Sequence, residues 1–328
     1  MVELWRGGIL ESQHAGHAVI CDAGGEIAEA WGDPAQIIYP RSSAKLLQAI
    51  PLIESGAAKA AGLTDRHLAL ACASHHGGHI HTDLAQSWLR DLGLGDDDLR
   101  CGPQEPSDLE ARDELIRAHA KPCQYHNNCS GKHTSFLTLG QHLRAGPDYI
   151  DADHPVQVEV RDVFEDMTGM DSPGFGIDGC SAPNFATSLR GLARAMARVA
   201  AAREDTGSAR DRAAARLART MRECPELIAG PTGSCTLLMQ AAGGRAAVKY
   251  GAEAVYIAIL PEQKLGVALK ITDGGMRAAE CATAALLIRL GALDADHPVA
   301  RGFVSAPILN RRGIDTGVMK PSAGFAGY

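Results

Sequence analysis

Short extended patterns at both ends of the chain enclose a long helical middle. Up to about residue 40, apolar and polar positions form short runs broken by glycine pairs, which is typical of strands joined by tight turns. From about residue 43 onward, apolar positions recur at helical spacing, and clusters of glycine, proline and aspartate separate the segments. This pattern predicts helices at about residues 43–54, 64–73, 81–92, 107–119, 131–144, 154–167, 186–202 and 207–223.

Extended patterns return near the C-terminal end. They predict strands at residues 246–250, 254–260 and 265–271, the last two as a hairpin, followed by a helix at about 275–290. Strands at both ends of the chain predict an α/β protein of the α+β type, in which an antiparallel sheet is built from both chain ends around a large inserted helical lobe. We expect a single domain over 1–328, with a sheet lobe of 1–40 and 246–328 and a helical lobe of 41–245.

Composition narrows the class of protein. The chain has 328 residues, of which 45% are hydrophobic and 22% charged, and a formal net charge of -7, so we expect a compact protein with no nucleic-acid partner. The first six residues lack the pattern of a signal peptide and the longest apolar run is short, which predicts a cytoplasmic protein with no membrane partner. Nine widely spread cysteines, an odd number, argue against a disulfide framework.

The segment Pro40-Arg41-Ser42-Ser43-Ala44-Lys45 leads into a predicted helix and is the first candidate for chemistry. Lys45 follows Ser42 by three residues, so both side chains lie on the same helical face. A serine at the start of a helix with an amine one turn away suits a nucleophile with a general base, and the free N–H groups of the first turn suit an oxyanion. An N-capping serine followed by a solvated lysine is the alternative.

Two further polar residues sit at ends of predicted elements. Ser74 closes the predicted helix at 64–73, where it is either a plain turn residue or a second active-site hydroxyl. Lys249 lies at the end of a predicted strand with Gly251 two residues on, an arrangement that suits an edge strand beside a serine amidase site. A solvated strand lysine is the alternative for Lys249.

Thiols and an amine form a possible metal site. Cys129 and Lys132 lie close together in a segment rich in polar residues, and Cys180 follows some fifty residues later. Two thiolates from separate segments suit zinc, and a lysine ligand would have to lose its proton, which the cation promotes. A pair of unrelated core cysteines is the alternative.

Four histidines, His75, His76, His79 and His81, could form another metal site by count alone. They lie in a segment broken by glycines, without the regular spacing of helical ligands. We therefore expect them to be solvated or to make hydrogen bonds.

Five motifs, taken together, resemble the zinc-carrying serine L-asparaginases often called class 3. The motifs are Pro-Arg-Ser-Ser-x-Lys at 40–45, Ala-Ser-His-His-Gly-Gly at 73–78, His-Asn-Asn-Cys-Ser-Gly-Lys-His at 126–133, Gly-x-Asp-Gly-Cys-Ser-Ala-Pro at 176–183 and Lys-x-Gly-Ala-Glu at 249–253. The resemblance runs in order from about residue 2 to 275. It implies a fold like that of serine β-lactamases and β-lactamase-like glutaminases, and a homodimer.

The resemblance also implies a role for particular residues. Ser42 with Lys45, and Ser74 with Lys249, resemble two Ser–Lys pairs that meet in one cleft. Cys129, Lys132 and Cys180 resemble the ligands of one zinc ion per chain, with water as the fourth ligand. Arg41, His133 and Asp178 resemble groups around the bound substrate.

From the resemblance we expect one catalytic domain that hydrolyses L-asparagine to L-aspartate and ammonia. Ser42 would form an acyl-enzyme with the help of the two lysines, and zinc would tune substrate affinity without being strictly required. The alternatives are a glutaminase, a penicillin-recognising serine hydrolase, and a zinc-stabilised binding protein without activity. The pattern does not separate asparagine from glutamine as the preferred substrate.

Overall fold

The computed structural model describes residues 1–327 and contains alternating regions of strand and helix. The strands are β1 (Val2–Arg6), β2 (Ile9–His14), β3 (Gly16–Cys21), β4 (Ile27–Trp31), β5 (Ile37–Ile38), β6 (Phe175–Ile177), β7 (Pro183–Phe185), β8 (Thr187–Ser188), β9 (Ala247–Gly251), β10 (Val255–Leu260), β11 (Leu265–Ile271), β12 (Ala306–Leu309) and β13 (Asp315–Pro321).

The nine predicted helices are all present, and the described residues contain four short helices that were not predicted. The helices are α1 (Lys45–Glu54), α2 (Ala57–Ala60), α3 (Asp65–Ala71), α4 (His79–Asp91), α5 (Leu109–Arg117), α6 (Ser130–Leu143), α7 (Pro155–Thr168), α8 (Leu189–Ala201), α9 (Ala209–Glu223), α10 (Pro225–Ala229), α11 (Ser234–Ala241), α12 (Met276–Arg289) and α13 (Pro298–Val304). A 3-10 turn at Arg41–Ala44 precedes α1. No helix within residues 1–327 is long and apolar enough to cross a membrane.

The chain divides into two compact units. The first contains Met1–Ile38, Ser188–Ala201 and the residues from Leu237 onward, and the second contains Tyr39–Thr187 and Ala202–Thr236. The prediction of one catalytic domain stays a prediction.

The first unit contains two antiparallel sheets formed from both ends of the chain. One has the strand order β4-β3-β11-β10-β9 and the other β12-β13-β1-β2. The antiparallel sheet predicted from both chain ends is therefore confirmed, including the hairpin of β10 and β11. Strands β12 and β13 were not predicted, because they are partly exposed and β12 contains Pro307, which is unusual within a strand.

Helix α8 belongs with the sheets, although the predicted helical lobe of 41–245 included it. It packs on β3, β10 and β11. The approach is so close that a Cβ atom at Gly266 of β11 would lie 2.0 Å from the backbone nitrogen of Ala197. The buried face of α8 thus covers the five-stranded sheet. The helical periodicity of the sequence predicted the helix α8 but not the unit to which α8 belongs.

The second unit is a group of helices around α1 and α6, with the hairpin β6–β7. Helix α1 packs against α6, α7 and α9, and α6 also contacts α3 and α4. Both central helices are buried along most of their length, at Lys45–Leu52 in α1 and at Ser130–Gly140 in α6. Polar residues at the first turns of these two helices are therefore enclosed, and these turns carry most of the predicted site.

Candidate active site

Ser42 lies in the 3-10 turn that leads into α1, as its position before a helical pattern predicted. The Lys45 N–H donates to the Ser42 carbonyl, and Ser42 is half-buried. The preceding residue, Arg41, has a φ of +52°, a left-handed conformation that is rare for a residue with a side chain. Such backbone strain persists only where the surrounding structure enforces it, and it is concentrated at functional sites.

The structure brings Lys45 and Ser74 together. The Lys45 Nζ atom lies 3.1 Å from Ser74 Oγ and 3.3 Å from the carbonyl oxygen of Asn128, and it also donates to the carbonyl oxygen of Ala73. The side chains of Lys45 and Ser74 are each only 1% exposed. An amine in this buried, oxygen-lined pocket is held in contact with a hydroxyl, as proton transfer between them requires.

Close packing of α3 on α6 sets this geometry. A Cβ atom at Gly131 would lie 2.3 Å from the carbonyl oxygen of Leu70, so only glycine lets α6 approach the end of α3. The chain then leaves α3 and the Ser74 N–H donates to the carbonyl oxygen of Ile228 in α10. These two contacts fix the loop that carries Ser74.

Hydrogen bonds hold the histidines that follow Ser74, as expected. His75 contacts Ser130 Oγ at 2.9 Å through Nε2 and accepts the Gly77 N–H at Nδ1. His81 Nε2 contacts the carbonyl oxygen of Glu226 at 3.1 Å, and its ring stacks on that of His75. Within residues 1–327, no group of three or more histidine, cysteine, aspartate or glutamate side chains is arranged to hold a metal.

Lys249 lies in the other unit, on strand β9. It is 1% exposed, so the solvated alternative is excluded, and its Nζ atom donates to the carbonyl oxygen of Tyr250 at 2.8 Å. The amine also lies 4.1 Å from the centroid of the Tyr250 ring. Its pairing with Ser74 stays a prediction from the resemblance.

Cys129, Lys132 and Cys180 form a buried cluster, which excludes the alternative of unrelated core cysteines. Lys132 Nζ lies 3.0 Å from Cys180 Sγ, and each of the three residues is at most 4% exposed. Cys129 occupies the position before α6, where its N–H donates to the Asn127 side chain at 2.8 Å. Its thiol lies 3.0 Å from Asn128 Oδ1. Asn128 therefore joins the two clusters, because its backbone carbonyl accepts from Lys45.

The contacts within this cluster shift the pKa values of the two thiols in opposite directions. Contact with the Cys129 thiol, the charge of Lys132 and the proximity of His133 lower the pKa of Cys180 far below its ordinary value. The same contact with Cys180, together with burial, raises the pKa of Cys129. Burial opposes a charge on Lys132, but Cys180, Cys129 and Asp178 outweigh it and raise the pKa of the amine. The shifts thus favour a charged amine on Lys132 and a deprotonated thiol on Cys180.

The donor set fits zinc. Two thiols and an amine supply the nitrogen and sulfur ligands that zinc prefers, and neighbouring nitrogen and sulfur ligands of a tetrahedral zinc are about 3.5 Å apart. The observed 3.0 Å between Lys132 and Cys180 would have to open by about half an ångström. The set depends on lysine as its third protein donor.

Arg41 and Asp178, both expected to contact substrate, contact each other. Arg41 donates to Asp178 Oδ1 through Nε at 3.0 Å and through Nη2 at 2.7 Å, and the side chains are 25% and 13% exposed. Asp178 begins the turn that carries Cys180, in which Ser181 has a φ of +71°. Arg41 itself is thus left-handed, and a second left-handed residue follows Asp178 by three positions.

His133 is fully buried on the first turn of α6. Its Nδ1 atom lies 2.9 Å from the Tyr149 hydroxyl, whereas Nε2 has no hydrogen-bond partner within residues 1–327. The Cys180 sulfur is nevertheless close enough to the ring to favour its protonated form. Burial lowers the pKa of His133 to about 4, so the ring is neutral at neutral pH.

Asn128 and Tyr149 are residues that the sequence did not single out. Asn128 lies inside the motif at 126–133, immediately before Cys129, so its position was a usable signal. Tyr149 lies in a loop sixteen residues beyond His133, and nothing in its local sequence points to the site.

Comparison with known proteins gives the chain a family context. The model of the L-asparaginase II family matches residues 2–321. None of the curated proteins is significantly similar to the chain.

Similar solved structures have low identities. They include Mglu in its tris and glutamate form (13% identity, TM-score 0.49, covering 89% of this chain and 63% of that one). A β-lactamase from Mycobacterium bovis has 14% identity, a TM-score of 0.41 and coverage of 81% and 90%. The octameric penicillin-binding protein homologue from Pyrococcus abyssi has 15% identity, a TM-score of 0.43 and coverage of 86% and 75%. At these values the likenesses carry no conclusion about activity.

Proposed function

Because the chain belongs to the L-asparaginase II family, we propose that it hydrolyses the side-chain amide of L-asparagine to L-aspartate and ammonia. The family match supports an amidohydrolase in general. The observation that carries the proposal is the buried Lys45 amine, 3.1 Å from the Ser74 hydroxyl and one helical turn after Ser42. The hydroxyls of Ser42 and Ser74, together with the amine of Lys45, suit a serine nucleophile with a proton-transfer partner.

In the proposed reaction, Ser42 Oγ attacks the amide carbon and its proton passes through Lys45 and Ser74. The tetrahedral intermediate expels ammonia, which receives that proton, and leaves an ester on Ser42. Water then attacks the ester and gives L-aspartate and free Ser42. Backbone N–H groups at the start of α1 would stabilise the oxyanion, and Lys249 would act as the second amine.

The ion pair of Arg41 and Asp178 suits recognition of an amino acid. The substrate carries a carboxylate that matches the guanidinium of Arg41 and an ammonium that matches the carboxylate of Asp178. Substrate binding would therefore exchange one internal ion pair for two with the ligand. The strained backbone at Arg41, the residue immediately before Ser42, supports this role.

We also propose that Cys129, Lys132 and Cys180 hold one zinc ion per chain. The ion would supply a cross-link between the start of α6 and the turn that carries Asp178, and so affect substrate affinity. Ser42 already provides the nucleophile, so the reaction would not strictly require the metal. A homodimer and a cytoplasmic location remain predictions.

Steady-state ammonia release with L-asparagine and with L-glutamine, on metal-loaded and metal-stripped protein, tests the proposal. We expect turnover of asparagine in both forms and a higher KM without metal. A preference for glutamine would make the protein a glutaminase, and hydrolysis of a chromogenic cephalosporin without ammonia release would make it a penicillin-recognising hydrolase. Absence of turnover with all three would refute the proposed activity.

A further inference from the structure

Tyr149 lies directly behind the candidate substrate residue His133. It is 1% exposed, and its ring packs edge-on to that of His133 with centroids 5.5 Å apart. The Tyr149 backbone is held by a 2.7 Å hydrogen bond from Gln157 Nε2 to its carbonyl oxygen. The tyrosine ring is thus fixed in place by packing and by a backbone contact, independently of its hydroxyl.

The Tyr149 hydroxyl has two partners within residues 1–327. The Arg100 N–H donates to it at 2.8 Å, and His133 Nδ1 lies 2.9 Å away. A backbone N–H is always a donor, so the hydroxyl oxygen accepts from Arg100. The hydroxyl proton then has only Nδ1 of His133 as an acceptor.

The donors and acceptors around the Tyr149 hydroxyl determine the tautomer of His133. If Nδ1 carried the histidine proton, two hydrogens would meet between Tyr149 and His133, or the buried tyrosine proton would lack an acceptor, which is unfavourable. If Nε2 carries the proton, Arg100, Tyr149 and Nδ1 are all satisfied. Burial raises the pKa of Tyr149, so the phenol keeps the proton that it donates.

We infer that Tyr149 is a positioning residue that keeps the proton of His133 on Nε2, so that this nitrogen acts as a hydrogen-bond donor. The tautomer follows from the contacts of Tyr149, whereas the donor role toward substrate rests on the proposed function. Nε2 is buried and, apart from the neighbouring Cys180 sulfur, has no acceptor within residues 1–327, and a buried donor of this kind is normally satisfied by an acceptor. A ligand oxygen, such as that of a substrate carboxylate or amide, would supply one.

The same assignment keeps His133 out of the zinc ligand set. A histidine ligand binds metal through a nitrogen that carries no proton. With Nδ1 occupied by Tyr149 and Nε2 protonated, His133 has no lone pair to offer to an ion held by its neighbour Lys132. Tyr149 would therefore favour the set of Cys129, Lys132 and Cys180 over one that includes His133.

The wild-type tautomer can be read directly by NMR on protein labelled with 15N in its histidines. The His133 signals are those that disappear in His133→Gln. We expect protonated Nε2 and unprotonated Nδ1. Protonated Nδ1 would overturn the inference, and this measurement needs no enzymatic activity and no Tyr149 variant.

Tyr149→Phe then tests the role of the hydroxyl, since phenylalanine keeps the ring packing. We expect a mixture of His133 tautomers and a KM for asparagine about fivefold higher, with kcat changed less than twofold, because a ground-state hydrogen bond is weakened. Tyr125→Phe is the matched control, since it removes a tyrosine hydroxyl that lies beside Asp96, and it should leave KM unchanged. An unchanged tautomer and KM in Tyr149→Phe would overturn the positioning role. If wild-type protein releases no ammonia, the proposed function fails, while the NMR result still decides the tautomer.

Discussion

Two lysines of the helical unit are equally buried and have different surroundings. Lys45 is 1% exposed and donates to three oxygen atoms, whereas Lys132 is 2% exposed and contacts the sulfur of Cys180, with the Phe136 ring 5.6 Å away. Oxygen acceptors that include a hydroxyl suit proton transfer, and sulfur neighbours suit a soft metal. The comparison teaches that burial alone does not assign a role to a lysine, whereas the atoms it contacts do.

The two environments are nevertheless connected through one residue. The backbone carbonyl of Asn128 accepts from Lys45, and its side-chain oxygen accepts from the Cys129 thiol. A change at the sulfur cluster could thus move an oxygen that holds Lys45. We expect variants of the oxygen-lined cluster around Lys45 to change turnover and variants of the sulfur cluster around Lys132 to change metal content. These two measurements therefore distinguish the clusters.

The largest effect is expected from Ser42→Ala. Loss of the nucleophile removes the only atom that can form the acyl bond, so kcat should fall by about 10⁴-fold or more. Mass spectrometry of acid-quenched wild-type enzyme should find any trapped adduct on the peptide that contains Ser42.

Ser43→Ala is the matched control for that variant. The Ser43 hydroxyl donates to the Pro40 carbonyl at 2.7 Å, so its loss should lower stability by about 1 kcal/mol and leave turnover largely intact. An adduct on Ser74, or normal rates in Ser42→Ala, would show that the nucleophile is assigned wrongly.

Lys45→Met and Lys249→Met should each lower kcat, by about 10³-fold, and the double variant should be little worse than either. Residues that act as one proton-transfer unit are non-additive. Lys59→Met, a change to an exposed lysine, should have no effect on kcat. If the two losses multiply, the lysines act independently and the network of two hydroxyls and two amines is refuted.

Cys180→Ala should remove most of the bound zinc and raise KM more than it lowers kcat. It deletes the thiolate that contacts Lys132, and it loosens the turn that carries Asp178. Elemental analysis of the wild type should give about one zinc per chain. Cys21→Ala, a buried thiol in the other unit, is the control and should keep full zinc content.

Unchanged zinc in Cys180→Ala would refute the ligand assignment. Full activity with normal saturation after verified removal of zinc would refute the affinity role while leaving the ligand assignment intact.

The local sequence pattern predicted the helices that carry the site, but it did not predict the contacts between them. The three-residue spacing of Ser42 and Lys45 and the helical periodicity after residue 131 correctly placed α1 and α6. The contact between Lys45 and Ser74 depends instead on how closely α3 approaches α6, which Gly131 permits. A glycine in a helix has many causes, so its meaning became visible only with Leu70 beside it.

Long-range partners were least predictable. Arg41 and Asp178 are far apart in sequence, and their resemblance to substrate-binding groups gave no sign that they pair with each other. Tyr149 contributes through one hydroxyl, and a tyrosine in a loop has no periodicity that would mark it. Such contacts follow from the packing of whole helices, which a residue-by-residue pattern does not contain.

The smallest expected effect is on the free energy of unfolding at acid pH, and it comes from the buried histidines that follow Ser74. Burial lowers the pKa of His81 to about 4, against 6.5 in the unfolded chain. Between these values the unfolded state binds the extra proton, so the stability contributed by neutral His81 is complete above pH 6.5 and is lost as pH falls toward 4. Urea unfolding should show a loss of about 2 kcal/mol from this residue between pH 7.5 and pH 5.

His81→Gln should flatten that pH dependence because it removes the titrating group, at some cost in stability at every pH. His79→Gln is the matched control. His79 is largely exposed, and its contact with Glu114 raises its pKa, so its contribution has the opposite sign and is screened by solvent. An unfolding free energy that falls equally steeply with acid in His81→Gln and in the wild type would show that His81 is not held neutral in the folded protein. In that case the acid sensitivity would have to come from other buried groups, among them His75, whose pKa burial also lowers.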